Sequence, residues 1–191
     1  MGKHGSIVKR ITDIFLSIVL LTLSSPLLLI SIIAIKLNSK GPAFFVQERI
    51  GYDGKSFKMI KLRGMVDNAE SMGPLLTQEN DPRLTPVGKV LRRISIDEIP
   101  QCINVLKGDM SIIGPRPEVP GIAKNYSEEE KKVFSFKPGI TGIAQINGRQ
   151  SLTPAQRVRM EIEYYSKANI FSDLKVALKT PIIILSNEGN I

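Results

Sequence analysis

Residues 14–35 read IFLSIVLLTLSSPLLLISIIAI, a run of apolar side chains interrupted only by small hydroxyl residues and one proline. About 20 such residues are enough for a helix to cross the hydrocarbon core of a bilayer. The run is too long for a signal-peptide core, and no convincing cleavage site follows it. Whatever the rest of the chain does, it does attached to lipid. On length alone the run reads as a single spanning anchor, but two features favour another path. Pro26 sits at its middle, where a proline removes one helical hydrogen bond and crowds the preceding turn. The hydroxyls of Ser24 and Ser25 are placed to serve the freed backbone groups. Lys3, Lys9 and Arg10 precede the run and Lys36 and Lys40 follow it. Basic flanks stay on the cytoplasmic side of a membrane, and here both ends carry them. A helix broken at Ser25-Pro26, entering and leaving by one face, satisfies both observations.

The 191 residues carry a net charge of +8, half of it before residue 41. That balance favours anionic partners: a lipid surface, phosphorylated small molecules or nucleic acid. Nucleic acid is the poorest fit. Aromatic residues make up 6% with no Trp, no recognition motif is present, and the apolar run would go unexplained. Cys102 is the only cysteine and His4 the only histidine. A disulfide, a Ser-His-Asp triad, a Cys-His pair and a His-rich zinc site are all disfavoured. Chemistry in this chain falls to carboxylates and basic side chains.

Two regions follow: residues 1–40, a membrane segment with basic flanks, and residues 41–191, a domain that would carry any catalytic chemistry, with an amphipathic C-terminal segment. The fold class is α/β, a small mixture of helices and a hairpin. Strand-like runs at 43–50 and 55–62 flank Asp53-Gly54, a strong hairpin signal. Residues 67–72 form a short helix, and 73–86, rich in proline, a loop. Ile99, Cys102, Ile103 and Leu106 fall at i, i+3, i+4, i+7 and predict a helix over 98–107, stopped by Gly108. Residues 127–132 (SEEEKK) read as a solvated helix face, and 140–146 as a strand. Thr153-Pro154 opens a helix reaching about residue 168. The tail at 172–185 is amphipathic and then apolar, suited to a membrane interface.

The densest chemistry lies in 89–117, KVLRRISIDEIPQCINVLKGDMSIIGPRP. Pro100 fits a helix only in its first turn, which puts Asp97 at or beside a helix N-terminus. There the free N–H groups and the dipole favour a carboxylate or a phosphate. An isolated Asp in that position is an N-cap, and a capping box from Ser95 to Glu98 is a second structural reading. Company shifts the balance: two adjacent acids lie between Arg92-Arg93 and Arg116. Adjacent acids on a helix point about 100° apart and suit two roles better than one shared proton. A carboxylate attacking a phosphate diester meets charge repulsion, so such a site needs a divalent cation and fixed positive charges. Mg²⁺ suits it, because it binds through one or two carboxylates together with phosphate. Lys61, Arg63, Arg92 and Arg116 are the basic candidates. Pro115 and Pro117 stiffen the backbone around Arg116, pre-setting its guanidinium for phosphate.

Taken in order, these pieces resemble the small monotopic phosphoglycosyl transferases of the bacterial sugar transferase family. The resemblance rests on Lys9 to Asp13, Ser25-Pro26, Gln47 to Gly51, Lys61 to Arg63, Ser95 to Gln101, Asn104 to Ser111, Gly114 to Pro117, Lys137 to Gly142 and Asn147 to Arg149. It implies transfer of a sugar-1-phosphate from a UDP-sugar to polyprenyl phosphate, usually undecaprenyl phosphate, with release of UMP and a need for Mg²⁺. It makes Asp97 the nucleophile, carrying a covalent phosphosugar, and a metal contact, with Glu98 in support. It makes Arg92 and Arg116 phosphate contacts, and points to Asn147 and Arg149 as substrate contacts. Ser25-Pro26 becomes the break of a re-entrant helix, and the domain lies on the cytoplasmic face of a bacterial inner membrane, beginning a glycan or exopolysaccharide. One departure stands out: Gly64 replaces the family's usual hydroxyl residue beside Arg63. The competing reading is a non-catalytic basic adaptor at the membrane surface, in which Asp97 and Glu98 only cap a helix.

Overall fold

A computed structural model describes residues 6–74, 77–78, 80–148 and 152–186. The apolar run belongs to one long helix, α1 (Ile7–Asn38), capped by the Ser6 side chain, which accepts from the Lys9 amide at 3.2 Å. The expected break at Ser25-Pro26 does not interrupt the hydrogen-bonded helix. Pro26 lacks the N–H that would reach the Thr22 carbonyl four residues back. The Ser25 hydroxyl takes that role, donating to Thr22 O at 2.8 Å, while Ser24 donates to Leu20 O at 2.6 Å. The Thr22 carbonyl crowded by proline is thus re-satisfied within the helix.

Both ends of α1 pack on the rest of the molecule, whereas most side chains of its middle are exposed or half-buried. Its buried residues are Asp13, Ser17, Ser31 and Ile35. Near its start, Arg10 donates to the Val105 and Leu106 carbonyls at 2.5 and 2.9 Å. Asp13 accepts from Ser111 Oγ at 2.8 Å and from the Ile112 amide at 3.2 Å. Near its end, Ile35 joins Ala43, Leu62, Leu91 and Ile96 in a small core.

After α1 comes an antiparallel hairpin, β1 (Phe44–Ile50) and β2 (Ser56–Leu62), in register from Phe44 opposite Leu62 to Ile50 opposite Ser56. Its turn needs positive φ at Asp53 (55°) and Gly54 (70°), which the Asp-Gly pair accepts at low cost. A 3₁₀ turn at Ala69–Ser71 stands where a short helix was expected. Then α2 (Pro86–Arg93) begins, a helix the sequence reading left out although Thr85 caps it and Pro86 opens it. This helix lies hard against Gly64: a Cβ on Gly88 would fall 1.8 Å from the Gly64 carbonyl oxygen, and one on Gly64 3.2 Å from Arg92 Nε. Gly88 therefore allows α2 to approach, and Gly64 leaves room for Arg92 to pass.

The helix predicted over 98–107 is two pieces, a 3₁₀ turn at Ile96–Gln101 and α3 (Cys102–Lys107), with Gly108 stopping it at φ 97°. A short parallel pair, β3 (Ser111–Ile113) and β4 (Gly139–Thr141), brackets α4 (Pro120–Ala123) and α5 (Glu128–Lys131). The strand predicted over 140–146 ends early; α6 (Ile143–Ile146) takes the remainder. Two longer helices close the described chain, α7 (Pro154–Lys167), with a Thr153–Gln156 capping box, and α8 (Ile170–Ser186). The main core gathers Met59, Cys102, Val105, Met110, Ile113, Tyr165 and Val176. The result is the expected mixture of helices and small sheets.

Candidate active site

Ser95 ends α2 in the left-handed region (φ 55°) and makes no side-chain cap, so the capping box with Glu98 does not form. The bend starts the 3₁₀ turn at Ile96–Gln101 and places both acids in its first turn, against β2. Their environments differ sharply. Glu98 Oε1 accepts from Lys61 Nζ at 2.9 Å and from Arg116 Nη2 at 3.4 Å. Burial alone would raise its pKa, but Lys61 and then Arg116 outweigh that and hold it down at about 2. Asp97 is only 7% exposed, and its carboxylate makes no hydrogen bond or ion pair among the described residues. Burial, with the Glu98 charge beside it, raises its pKa; Lys61, Arg92 and Arg116 oppose that from a distance. An unbonded buried carboxylate is costly, so this one invites a cation or an electrophile.

The cations around the pair are held by Glu98 or by uncharged acceptors. Arg92 donates to Thr77 Oγ1 at 2.9 Å, and burial lowers its pKa. Lys61 is likewise lowered by burial, against the pull of Glu98. The sequence reading missed Arg49. It is held by Gln47 Oε1, at 3.0 Å from Nε, and by the Pro117 carbonyl at 3.1 Å, both uncharged acceptors. Burial and then repulsion from Arg116 depress its pKa to about 10. Its only signal in the sequence was its place in the run from Gln47 to Gly51. Arg49, Lys61, Arg92 and Arg116 thus surround two carboxylates, an excess of positive charge suited to a phosphorylated ligand.

Arg116 is fixed from behind. Gly139 N donates to the Pro115 carbonyl at 2.8 Å and Ile50 N to the Glu118 carbonyl at 2.8 Å. Glu161, on α7 and 1% exposed, accepts from the Arg116 amide at 2.9 Å. Burial pushes the Glu161 pKa up to about 7 in spite of that bond and of Arg157. Next to it, Glu118 binds Arg157 and accepts from the Tyr126 hydroxyl at 2.5 Å. Neither Glu161 nor Glu118 stood out in the sequence, because only the tertiary fold brings them under the loop.

Two expected site residues lie elsewhere. Arg63 is 4% exposed, and its guanidinium donates to the Ser39 carbonyl and Ser39 Oγ, both at 2.9 Å, and to the Lys40 carbonyl. It ties down the end of α1 and does not reach the acids. Asn147 is exposed and its amide bonds the Ile143 carbonyl at 2.9 Å, closing α6. Arg149 lies outside the described residues.

For a metal, the described residues offer no group of three or more His, Cys, Asp or Glu. The donors available are the Asp97 and Glu98 carboxylates. Such a set fits Mg²⁺, which keeps waters and shares phosphate oxygens instead of filling a protein cage, and unbonded Asp97 is the available ligand.

The whole chain is similar to known proteins. The chain is 40% identical over 183 residues to an uncharacterized sugar transferase, EpsL, of Bacillus subtilis, covering 96% of this chain and 90% of that protein. It is 39% identical to the UDP-glucose:undecaprenyl-phosphate glucose-1-phosphate transferase of Caulobacter vibrioides, covering 95% of this chain and 71% of that one. It is 34% identical to the undecaprenyl-phosphate galactose phosphotransferase of Salmonella typhimurium, covering 99% of this chain and 43% of the relative. Residues 4–187 match the family described as bacterial sugar transferase, and the chain belongs to that family.

Proposed function

We propose that this protein transfers a sugar-1-phosphate from a UDP-sugar to polyprenyl phosphate, the first committed step of a bacterial glycan. The observation that carries the proposal is Asp97: buried, unbonded among the described residues, and in the field of Lys61, Arg92 and Arg116. A purely structural acid has no reason to stay unpaired among so many donors.

The reaction runs in two displacements at one phosphorus atom. An Asp97 carboxylate oxygen attacks the sugar-bearing phosphorus, the bond to the bridging oxygen breaks, and UMP leaves with that electron pair. The sugar phosphate is then held on Asp97 as an acyl phosphate. A phosphate oxygen of the polyprenyl carrier attacks the same phosphorus, frees the carboxylate and yields the polyprenyl diphosphate sugar. Lys61 and Arg116 screen the repulsion between carboxylate and phosphates, with Arg92 on the Asp97 side. Glu98 holds Lys61 and Arg116 in position. Mg²⁺ bound at Asp97 would neutralise charge on the diphosphate.

The reaction needs the site at a lipid boundary, and the surface supports that. Ile170, Phe171, Leu174, Leu178, Ile182 and Leu185 leave an apolar stripe exposed on α8, and Phe15, Leu23, Leu29 and Ile30 do the same on α1. Both ends of α1 dock on one body, and both carry basic residues. We read α1 as re-entrant, with residues 41–191 on the cytoplasmic face of the inner membrane and α8 in the interface. The bend would form at Pro26, where Ser25 already holds the freed Thr22 carbonyl.

The adaptor reading needs basic and apolar surface but no unpaired buried acid, and it is the poorer fit. The test is purified protein with Mg²⁺, a panel of UDP-sugars and undecaprenyl phosphate. One sugar should give UMP, with a single partial turnover before acceptor is added. UMP from no member of the panel would hand the case to the adaptor.

A further inference from the structure

Two shallow clefts meet at Arg116 and Pro117. The first is lined by Arg49, Met59, Lys61 and Gln101 together with that pair. It is the cationic side, and Glu98 bonds two of its members. The second is lined by Pro115, Val133, Phe134, Phe136 and Pro138, with Ile50 and Gly51 at its edge. Apart from Arg116 it holds no charged residue. A single residue pair therefore separates a compartment of positive charge from one of flat apolar rings.

The apolar compartment is set in place before any ligand arrives. Phe134 stacks on Tyr126 with ring centres 5.8 Å apart, and Phe136 packs against Tyr165 at 5.9 Å. Gly51 sits where a Cβ would come within 2.9 Å of the Phe57 ring and 3.2 Å of Pro138. That close approach draws the hairpin turn against the prolines. A nucleoside diphosphate has the same two-part build, with charged phosphates at one end and a planar base at the other. Binding sites of this kind combine apolar and aromatic walls with a few placed polar groups.

We infer that the apolar cleft between Pro115-Pro117 and Phe134-Phe136 seats the uracil ring of the donor nucleotide, while Arg116 at the shared wall holds its phosphate. The inference deepens the proposed function and rests on its reading of the donor as a UDP-sugar. It gives the chain a base-binding residue set, Phe134, Phe136 and the three prolines, that none of the phosphate-directed residues supplies. An isoprenoid chain is the other apolar occupant to weigh. It would arrive along the exposed stripes of α1 and α8, and neither helix contributes a residue to this cleft.

The test is calorimetry on the full chain in lipid nanodiscs with Mg²⁺, using UDP and inorganic pyrophosphate as separate probes. Phe134→Leu and Phe136→Leu are made singly; each keeps apolar bulk and removes a π face. Base-on-ring contacts are large enough that each variant should weaken UDP binding about tenfold while pyrophosphate binding stays within about twofold of the parent. The pyrophosphate value also reports that each variant is folded. Equal weakening of both probes, or UDP binding unchanged in both variants, overturns the inference and leaves the transferase standing. Loss of affinity for farnesyl phosphate in place of UDP assigns the cleft to the carrier and likewise overturns it. A parent protein that binds pyrophosphate but gains nothing from the uridine of UDP removes the donor reading, and the inference with it.

Discussion

Asp13 and Asp97 are both deeply buried, at 5% and 7% exposure, yet the fold treats them in opposite ways. Asp13 accepts two hydrogen bonds from β3, at 2.8 and 3.2 Å, with Lys9 at 3.9 Å. Lys9 in turn reaches Asp173 at 2.8 Å. Around α1's start the charges are closed off by near neighbours, and that cluster fastens the membrane helix to the body. Around Asp97 cations are numerous, but none among the described residues bonds it. The same residue type at the same depth is structural where its valences are filled and available for chemistry where they are not. Burial alone does not separate the two.

The largest effects should come from exchanging these fates. Asp97→Asn should lower UMP release at least about a thousandfold, because the proposed nucleophile is gone. It should cost no stability, and removal of a desolvated charge can add about 1 kcal/mol. UMP assays paired with thermal unfolding check both halves; retained activity sinks the nucleophile assignment. Asp13→Ala should do the reverse. It strands Ser111 Oγ and the Ile112 amide and should cost about 3 kcal/mol, read by denaturant unfolding in detergent, while the fraction that folds keeps its turnover. A large loss of turnover at full stability would erase the contrast.

What the sequence disclosed follows the same division. The hairpin, α7 and the Gly108 stop were legible because their signals are local: an Asp-Gly turn, a Thr-Pro start, an apolar stripe ending in glycine. That the acids and Arg116 would come together was legible through their spacing and company. Arg63 was misplaced because spacing cannot tell which side of a strand end meets the helix terminus it ties down. The strand expected at 140–146 stops at Thr141, and α6 begins at once after Gly142, its N-cap. Arg49, Glu118 and Glu161 act across long sequence separations, and no local pattern marks them.

Glu161 offers a test intermediate between the two aspartates, since it is bonded but not neutralised. Its pKa rises from an ordinary 4.5 to about 7, chiefly through burial, with Arg157 and Arg116 opposing and Glu118 reinforcing. The folded protein therefore holds a proton that the unfolded chain gives up between those values. Stability from this group is present at low pH and is lost as pH rises through about 7. The span is on the order of 3 kcal/mol. Glu161→Gln should flatten the fall in thermal stability between pH 5 and pH 7.5. An unchanged slope would place the titrating group elsewhere.

The smallest effect concerns an unfilled valence that the chain creates and then repairs. Pro26 leaves the Thr22 carbonyl without its helical donor, and the Ser25 hydroxyl supplies one at 2.8 Å. In lipid no water can substitute, so Ser25→Ala should cost about 1 kcal/mol, the usual worth of such a bond. That cost depends on the proline. In a Pro26→Ala background the backbone N–H returns to Thr22, and adding Ser25→Ala should then cost almost nothing. The four proteins form a double-mutant cycle, measured by thermal unfolding in nanodiscs. A coupling near 1 kcal/mol means that the hydroxyl is there because of the proline, as the geometry requires; equal costs in both backgrounds would reduce Ser25 to an incidental small residue on the helix.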